Sequence, residues 1–286
     1  MMPARLRRLS LSVGAVVVLC ALWEGYKLID GNLLGWHAPA HSDDRSMPHV
    51  WTMLSRLGDP ENRGTSRPVA AAVLEASWYT LRIAGAGFLA GSLIGLGVAV
   101  LMQRFVFVER ALLPWVVLTQ TIPLIVLAPL VVIWGGRLEL FGVQWKLWMS
   151  VATISAFLSF CPMAVGALRG LQSPSPASVE LMRSLAATPR ATLLRLRFPS
   201  AVPFLIPAMR LAAASSIVGA IVAEISTGTS GGIGRLLLEY SREATSDPAK
   251  VYTAMMGAAL LGLVVAGLVA AVDTFVMRNR PREVST

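Results

Sequence analysis

The sequence predicts an all-α membrane protein, a single domain crossing the bilayer six times. Three observations carry that expectation. Six apolar runs of about twenty residues or more recur along the 286-residue chain, long enough to span hydrocarbon as helices. Hydrophobic residues make up 55% of the chain and charged ones only 14%, against about a quarter in soluble domains. The arginines behind the net charge of +9 stand in short clusters at the ends of apolar runs, not in the broad basic patch of a nucleic-acid binder.

After a short N-terminus, residues 1–8, the first span covers residues 9–29. Arg5-Leu6-Arg7-Arg8 before an apolar run also suits a secretory leader, and Ala38-Pro39-Ala40 imitates a cleavage site. The apolar core ends well short of that site, and Trp23, Glu24, Tyr26 and Lys27 intervene, so the span is read as uncleaved with aromatic interfacial anchors. Glu24 and Lys27, at i, i+3, are expected to pair near the membrane face. Residues 30–76 are polar and too short for a separate domain, with an amphipathic piece at 50–57. His37, His41 and His49 fall here without an acidic ligand at fixed spacing and read as solvated loop residues. Cys20 and Cys161 lie inside apolar spans and imply neither a disulfide nor a metal site.

The second span, 79–102, repeats Gly87, Gly91 and Gly95 every four residues, which places a small-residue groove for helix packing on one face. The third, 111–134, holds no charge but three prolines, Pro114, Pro123 and Pro129, with Gln120 and Thr121 near its middle. Proline frees backbone carbonyls that neighbours or a cavity must satisfy, so Gln120, Thr121 and Pro123 are candidates for lining a pathway; polar contacts between helices are the rival reading. The fourth span is 147–168 and the fifth 204–225. The fifth carries Arg210 and Glu224, each expected to snorkel toward its nearer membrane face. Ser226 to Leu236 is glycine-rich but lacks the order of a phosphate-binding loop, and a short helix over 233–244 follows. The sixth span, 252–276, precedes a basic tail, 278–286.

The most informative stretch is residues 173–203, between the fourth and fifth spans. Ser175-Pro176 and Thr188-Pro189 each read as an N-cap with proline at the first helical position. Two short helices are therefore expected to meet near 186–188, the first presenting Val179, Met182 and Ala186 on one face, the second offering Leu193, Leu196 and Phe198 beside its arginines.

This interval resembles the cytoplasmic EAA loop of ABC-importer permeases. Glu180-Leu181-Met182 takes the place of its Glu-Ala-Ala triplet, Ala186 that of its glycine, Leu196 that of its isoleucine, and Phe198-Pro199 that of its closing Leu-Pro. The spacing matches throughout, while Leu181, Met182 and Ala186 depart from the pattern. Alanine makes the elbow only where positive φ is avoided, so a tighter or differently angled turn is expected. Residues 120–136 (QTIPLIVLAPLVVIWGG) are similar to the third-helix signature of the nitrate/sulfonate/taurine subgroup.

The resemblance implies a type I importer permease fold with a coupling helix. It further implies a second permease subunit, in a homodimer, ABC ATPase subunits beneath and an extracytoplasmic substrate-binding protein above. The coupling loop would comprise Glu180, Met182, Arg183, Ala186, Pro189, Leu196 and Pro199, with Glu180 pairing a basic residue of the ATPase. Counting charges agrees with that orientation: with the N-terminus inside, thirteen basic residues fall on the cytoplasmic side and nine outside. Both termini are then cytoplasmic in a multi-pass protein of the plasma (inner) membrane. No catalytic constellation, metal-ligand set or cofactor motif occurs, so ATP hydrolysis belongs elsewhere. The alternative is an ion-coupled secondary transporter without an ATPase. Substrates implied are nitrate/sulfonate/taurine-like or thiamine-pyrimidine/riboflavin-like, the wording of 179–188 and 217–225 favouring the heterocycles.

Overall fold

The computed structural model describes residues 4–32, 44, 46–62, 64–137, 139–140 and 143–277. His37, His41, the leader-like Ala38–Ala40 and the tail 278–286 lie outside the described residues. The helices in chain order are α1 (Ala4–Asn32), α2 (Val50–Arg56), α3 (Val69–Arg104), α4 (Val106–Leu118), α5 (Leu124–Gly135), α6 (Leu147–Leu171), α7 (Pro176–Ser184), α8 (Pro189–Thr227), α9 (Ile233–Arg242) and α10 (Pro248–Met277). A two-residue antiparallel pair, Glu139–Leu140 with Val143–Gln144, closes the turn between α5 and α6.

Among the described residues α3, α6, α8 and α10 are long and apolar enough to cross a bilayer, and α4 with α5 meets the same criterion as one bent pair. Their outward faces carry large apolar side chains, such as Leu93 at 70% and Phe107 at 83% exposure. Patches of that kind are costly in water and natural in lipid.

The third span is not one rod. A 3₁₀ turn at Thr119–Thr121 ends α4, Ile122 and Pro123 are extended, and α5 leaves at 104° to α4. Pro114 and Pro129 stay inside helices, so proline alone does not decide the break. Ile122 is both β-branched and pre-proline, which disfavours its helical conformation twice over, whereas Leu113 and Ala128 precede the other two prolines.

Of the described residues, those within Met1–Leu74 and Leu236–Gly257 form one compact unit, and those within Glu75–Arg235 and Ala258–Thr286 another. The first is held by charge. Lys250, 2% exposed, donates to Glu243 Oε2 (2.6 Å) and Asn62 Oδ1 (3.1 Å) and sits 4.4 Å from the Tyr240 ring centroid. Tyr240 donates to Glu61 Oε1 (3.0 Å), and burial, reinforced by the Glu61 carboxylate, raises its phenol pKa. Arg56 Nε donates to Asp247 Oδ2 (2.7 Å). The expected Glu24–Lys27 pair is not made. Glu24 instead accepts from the Val50 amide (2.8 Å) and meets His49 Nδ1 (2.7 Å), while Lys27 reaches Asp44 and the Met47 carbonyl. His49 is therefore a positioned residue, stacked on Trp51 at 4.1 Å. Partners brought near by the returning chain outcompete the weak i, i+3 pair.

The second unit is organised about α6. A Cβ added to Gly87 would strike Ser155 Cβ, one on Gly91 would strike Ser159 Oγ and the Ala156 carbonyl, and one on Gly95 would lie 2.7 Å from the Phe160 carbonyl. Farther along α6 the approach to α8 is equally close: a Cβ added to Gly166 would strike Ala208 Cβ, and one added to Gly170 would lie 2.9 Å from Ala201 Cβ. Hydroxyls join the helices as well, Ser159 of α6 donating to the Gly87 carbonyl of α3 and Ser216 of α8 to the Ala84 carbonyl of α3 at 2.6 Å. In lipid there is no hydrophobic force between helices, so dispersion at close backbone approach and such hydrogen bonds supply the cohesion.

Gly91→Val should destabilise the second unit by about 1–3 kcal/mol through overpacking. Gly97→Val, where an added Cβ meets nothing within 4 Å, should be close to neutral. Thermal unfolding of the two variants in the same detergent compares them directly; equal melting temperatures would refute the α3–α6 seam as a packing constraint.

Candidate functional site

The elbow between α7 and α8 is built by backbone chemistry at both ends. Ser175 Oγ accepts from the Ser178 amide (3.2 Å) to start α7, and Thr188 Oγ1 accepts from the Ala191 amide (3.2 Å) to start α8, each with proline at the first position. At the end of α7 the Ala187 amide reaches the Met182 carbonyl and the Ala186 amide reaches the Arg183 carbonyl, both at 2.9 Å. This is a Schellman closure, and it requires a left-handed residue at Ala186. Ala186 supplies it, with φ of 50°. The expectation that alanine would avoid positive φ is thus corrected. Two backbone hydrogen bonds outweigh the roughly 1–2 kcal/mol that an L-residue loses in this region.

The second expected short helix does not stand alone. It continues from Pro189 into the fifth span as one helix of 39 residues. A π-helical turn at Leu193–Arg197 precedes Pro199. Proline at 199 would drive its ring against the Arg195 carbonyl in a regular α-helix, and the wider turn relieves that clash without a break.

Val179 and Met182 are half-buried, whereas Glu180, Leu181 (60% exposed) and Leu185 (68%) face outward. Among the described residues Glu180 makes no ion pair, with Arg183 or any other group. Leu196 is half-buried and its carbonyl accepts from Ser200 Oγ (2.8 Å). Behind α7 lies a cavity of about 280 Å³ lined by Arg104, Arg183, Arg190 and Arg197. Arg197 donates to the Leu171 carbonyl (2.8 Å); burial, and then the neighbouring Arg183 charge, lowers its guanidinium pKa. This cavity was not legible in the sequence, because Arg104 is remote in the chain and reaches the elbow only through the α3–α6 packing.

A second cavity, of about 480 Å³, is largely apolar and lined by Gln120, Phe204, Pro207 and Leu211, with Arg169 at its edge. Gln120 thus meets a groove in the same unit, while Thr121 and Pro123 are exposed and not part of its lining. Thr121 spends its hydroxyl on the Leu118 carbonyl (2.8 Å). Among the described residues no three His, Cys, Asp or Glu side chains gather to hold a metal ion.

Glu224 does not snorkel. It is fully buried, and Thr80 Oγ1 lies 2.8 and 3.0 Å from its two oxygens. The Gly234 amide donates to Oε2 (2.9 Å), and Thr80 accepts in turn from the Ile233 amide (2.9 Å). Gly232, at φ 98°, and Gly234 press against the carboxylate where no Cβ fits. The glycine-rich segment after α8 therefore wraps a carboxyl of its own chain. Residues Gly232-Ile233-Gly234 next to an intramembrane acid carry that signal, though it reads as a loop when the acid is assumed to face water.

Residues 87–278 match the family described as binding-protein-dependent transport system inner membrane component. Relatives include the formylaminopyrimidine transport permease protein ThiX of Halalkalibacterium halodurans, 34% identical over 51% of this chain and 54% of the relative. A probable ABC transporter permease protein of Haemophilus influenzae is 30% identical over 75% of this chain and 84% of its own. The putative aliphatic sulfonates transport permease protein SsuC of Bacillus subtilis is 24% identical over 63% and 60%. The match thus spans about half the length of ThiX and most of the Haemophilus protein.

Ala186→Gly should relieve the left-handed strain and stabilise the elbow, by up to about 1 kcal/mol after the greater entropy of glycine in the unfolded chain is offset. Ala186 is exposed, so no packing is lost. Slower amide exchange at the substituted position and at Ala187 is the expected reading; faster exchange would contradict the closure described.

Proposed function

The chain belongs to the family of binding-protein-dependent transport system inner membrane components, and from that premise we propose that it is the membrane-spanning subunit of an ATP-driven importer. It is not itself an enzyme. Two copies enclose the pathway as a homodimer, separate ABC ATPase subunits dock from the cytoplasm, and an extracytoplasmic binding protein delivers the solute. Six spans put both termini and the elbow on the cytoplasmic side of the inner membrane. An ion-coupled carrier without an ATPase finds no support in this family.

The observation that carries the coupling role is the elbow itself. The Ser175 cap and the Schellman closure fix α7 and the Thr188 cap fixes the start of α8, leaving Glu180 exposed with no local cation holding it. Glu180 engages a basic residue of the ATPase, flanked by Leu181 and Leu185. Met182, Arg183, Ala186, Pro189, Leu196 and Pro199 transmit ATPase closure along α8, tilting the helices between inward-open and outward-open states. Gln120 borders the pathway through the 480 Å³ groove. For substrate, a formylaminopyrimidine-like heterocycle is favoured over a sulfonate, since identity to ThiX is 34% and to SsuC 24%. A largely apolar groove with one amide and one guanidinium suits a polar heterocycle passing through.

Glu180→Lys should insert and fold normally yet abolish uptake and weaken ATPase co-purification, because like charges meeting in a partly desolvated interface cost on the order of several kcal/mol. Arg183→Glu should be milder. Wild-type uptake by the Glu180→Lys complex would remove the coupling role.

Orientation is checked separately. In a background lacking Cys20 and Cys161, Ser178→Cys should resist membrane-impermeant thiol reagents in whole cells and Ser66→Cys should react. The reverse pattern would invert the topology.

A further inference from the structure

The cavity behind the elbow gathers four guanidinium groups from three elements. Arg104 ends α3, Arg183 lies in the last turn of α7, and Arg190 and Arg197 belong to the first turns of α8. No Asp or Glu lines it, and among the described residues none of the four meets a carboxylate within ion-pair distance. Acids do stand nearby, but they are turned elsewhere: Glu109 accepts from Gln172 Nε2 (2.8 Å), and Glu180 faces outward. Gln103 and Thr192 add neutral polar groups to the wall. Like charges lining one cavity repel; at Arg197 the guanidinium pKa is lowered first by burial and then by the neighbouring Arg183 charge. An anion removes that repulsion.

We propose that this cavity binds a phosphate-bearing anion, either the headgroup of an anionic phospholipid or free phosphate. Guanidinium forks match phosphate oxygens bidentately, which a chloride or a single carboxylate does not exploit as fully. A volume of about 280 Å³ holds a phosphate with a small ester arm. The rest on the proposed function is limited to one point: if the elbow is cytoplasmic, the cavity meets the inner membrane surface, where anionic headgroups concentrate. An acidic patch of the ATPase is the competing occupant. It is disfavoured because Val179 and Arg183 line the cavity from one side of α7, whereas Leu181 and Leu185 mark the opposite side as the outward one.

The test uses the full-length permease purified in a neutral detergent. Native mass spectrometry compares retention of cardiolipin, phosphatidylglycerol and phosphatidylcholine; thermal unfolding compares inorganic phosphate with chloride at matched ionic strength. Arg104→Gln and Arg190→Gln, both at exposed positions, are measured beside Arg110→Gln, whose residue lies outside the cavity. Anionic lipids should be retained over phosphatidylcholine, and each cavity variant should weaken that retention about tenfold while Arg110→Gln does not. Retention without a phosphate effect identifies a lipid headgroup; phosphate stabilisation lost in the same two variants identifies free phosphate. The proposal is overturned if neither probe senses Arg104→Gln or Arg190→Gln. It is equally overturned if these variants lose co-purifying ATPase with both probes binding unchanged. Because binding is read in detergent, an inverted topology in the cysteine labelling would fail the functional reading and leave this result standing.

Discussion

Close backbone approach along α6 is the constraint on which the rest of the second unit depends. Glycines of α3 lie against α6, and Gly166 and Gly170 of α6 admit α8 just as closely. Once these three helices are fixed at short range, their ends are fixed too. The α3 terminus at Arg104 is thereby brought beside the first turns of α8, and Thr80 beside Glu224. Neither pairing is a local event in the chain. In lipid, where burying another leucine between helices gains little, small residues at the seam are what make such positions definite.

Polar groups then do locally what glycine does along the helices. Caps at Ser175 and Thr188 and the closure at Ala186 shape the elbow, while Glu224 gathers Thr80 and the Gly234 amide at the far end of α8. Each is a case of buried or terminal backbone groups finding defined partners. The first unit relies on side-chain charge instead, with Lys250 enclosed by Glu243, Asn62 and the Tyr240 ring.

What could be read from the sequence follows the range of the interactions. The glycine stripe and the two Ser/Thr-Pro starts are local patterns that correspond to observed features, and of the six apolar runs four, or five with the bent pair, form spanning-length helices among the described residues. Pro123 was one of three prolines with equal claim to break a helix; only the β-branched residue before it separates it from the others. Ala186 and Glu224 defy a local reading for a common reason. Each pays an intrinsic penalty, left-handed φ in one case and burial of a carboxyl in the other, that looks prohibitive until the hydrogen bonds offsetting it are seen. Glu24 and Lys27 fail for the opposite reason, since a plausible local pair yields to residues that approach only in the fold.

The continuity of α8 has a mechanical consequence. With 39 residues and a rise of about 1.5 Å each, the helix is a lever arm of roughly 58 Å. One end is the elbow; the other is clamped by a buried carboxylate to α3 and to the glycine-rich segment. A displacement of the elbow would thus be carried toward Glu224 along a continuous helix. The shaft departs from a regular α-helix at the widened turn over Leu193–Arg197 and at the interior prolines Pro203 and Pro207, so its compliance is gathered in the half nearest the elbow, and the stretch from there to the clamp is unbroken.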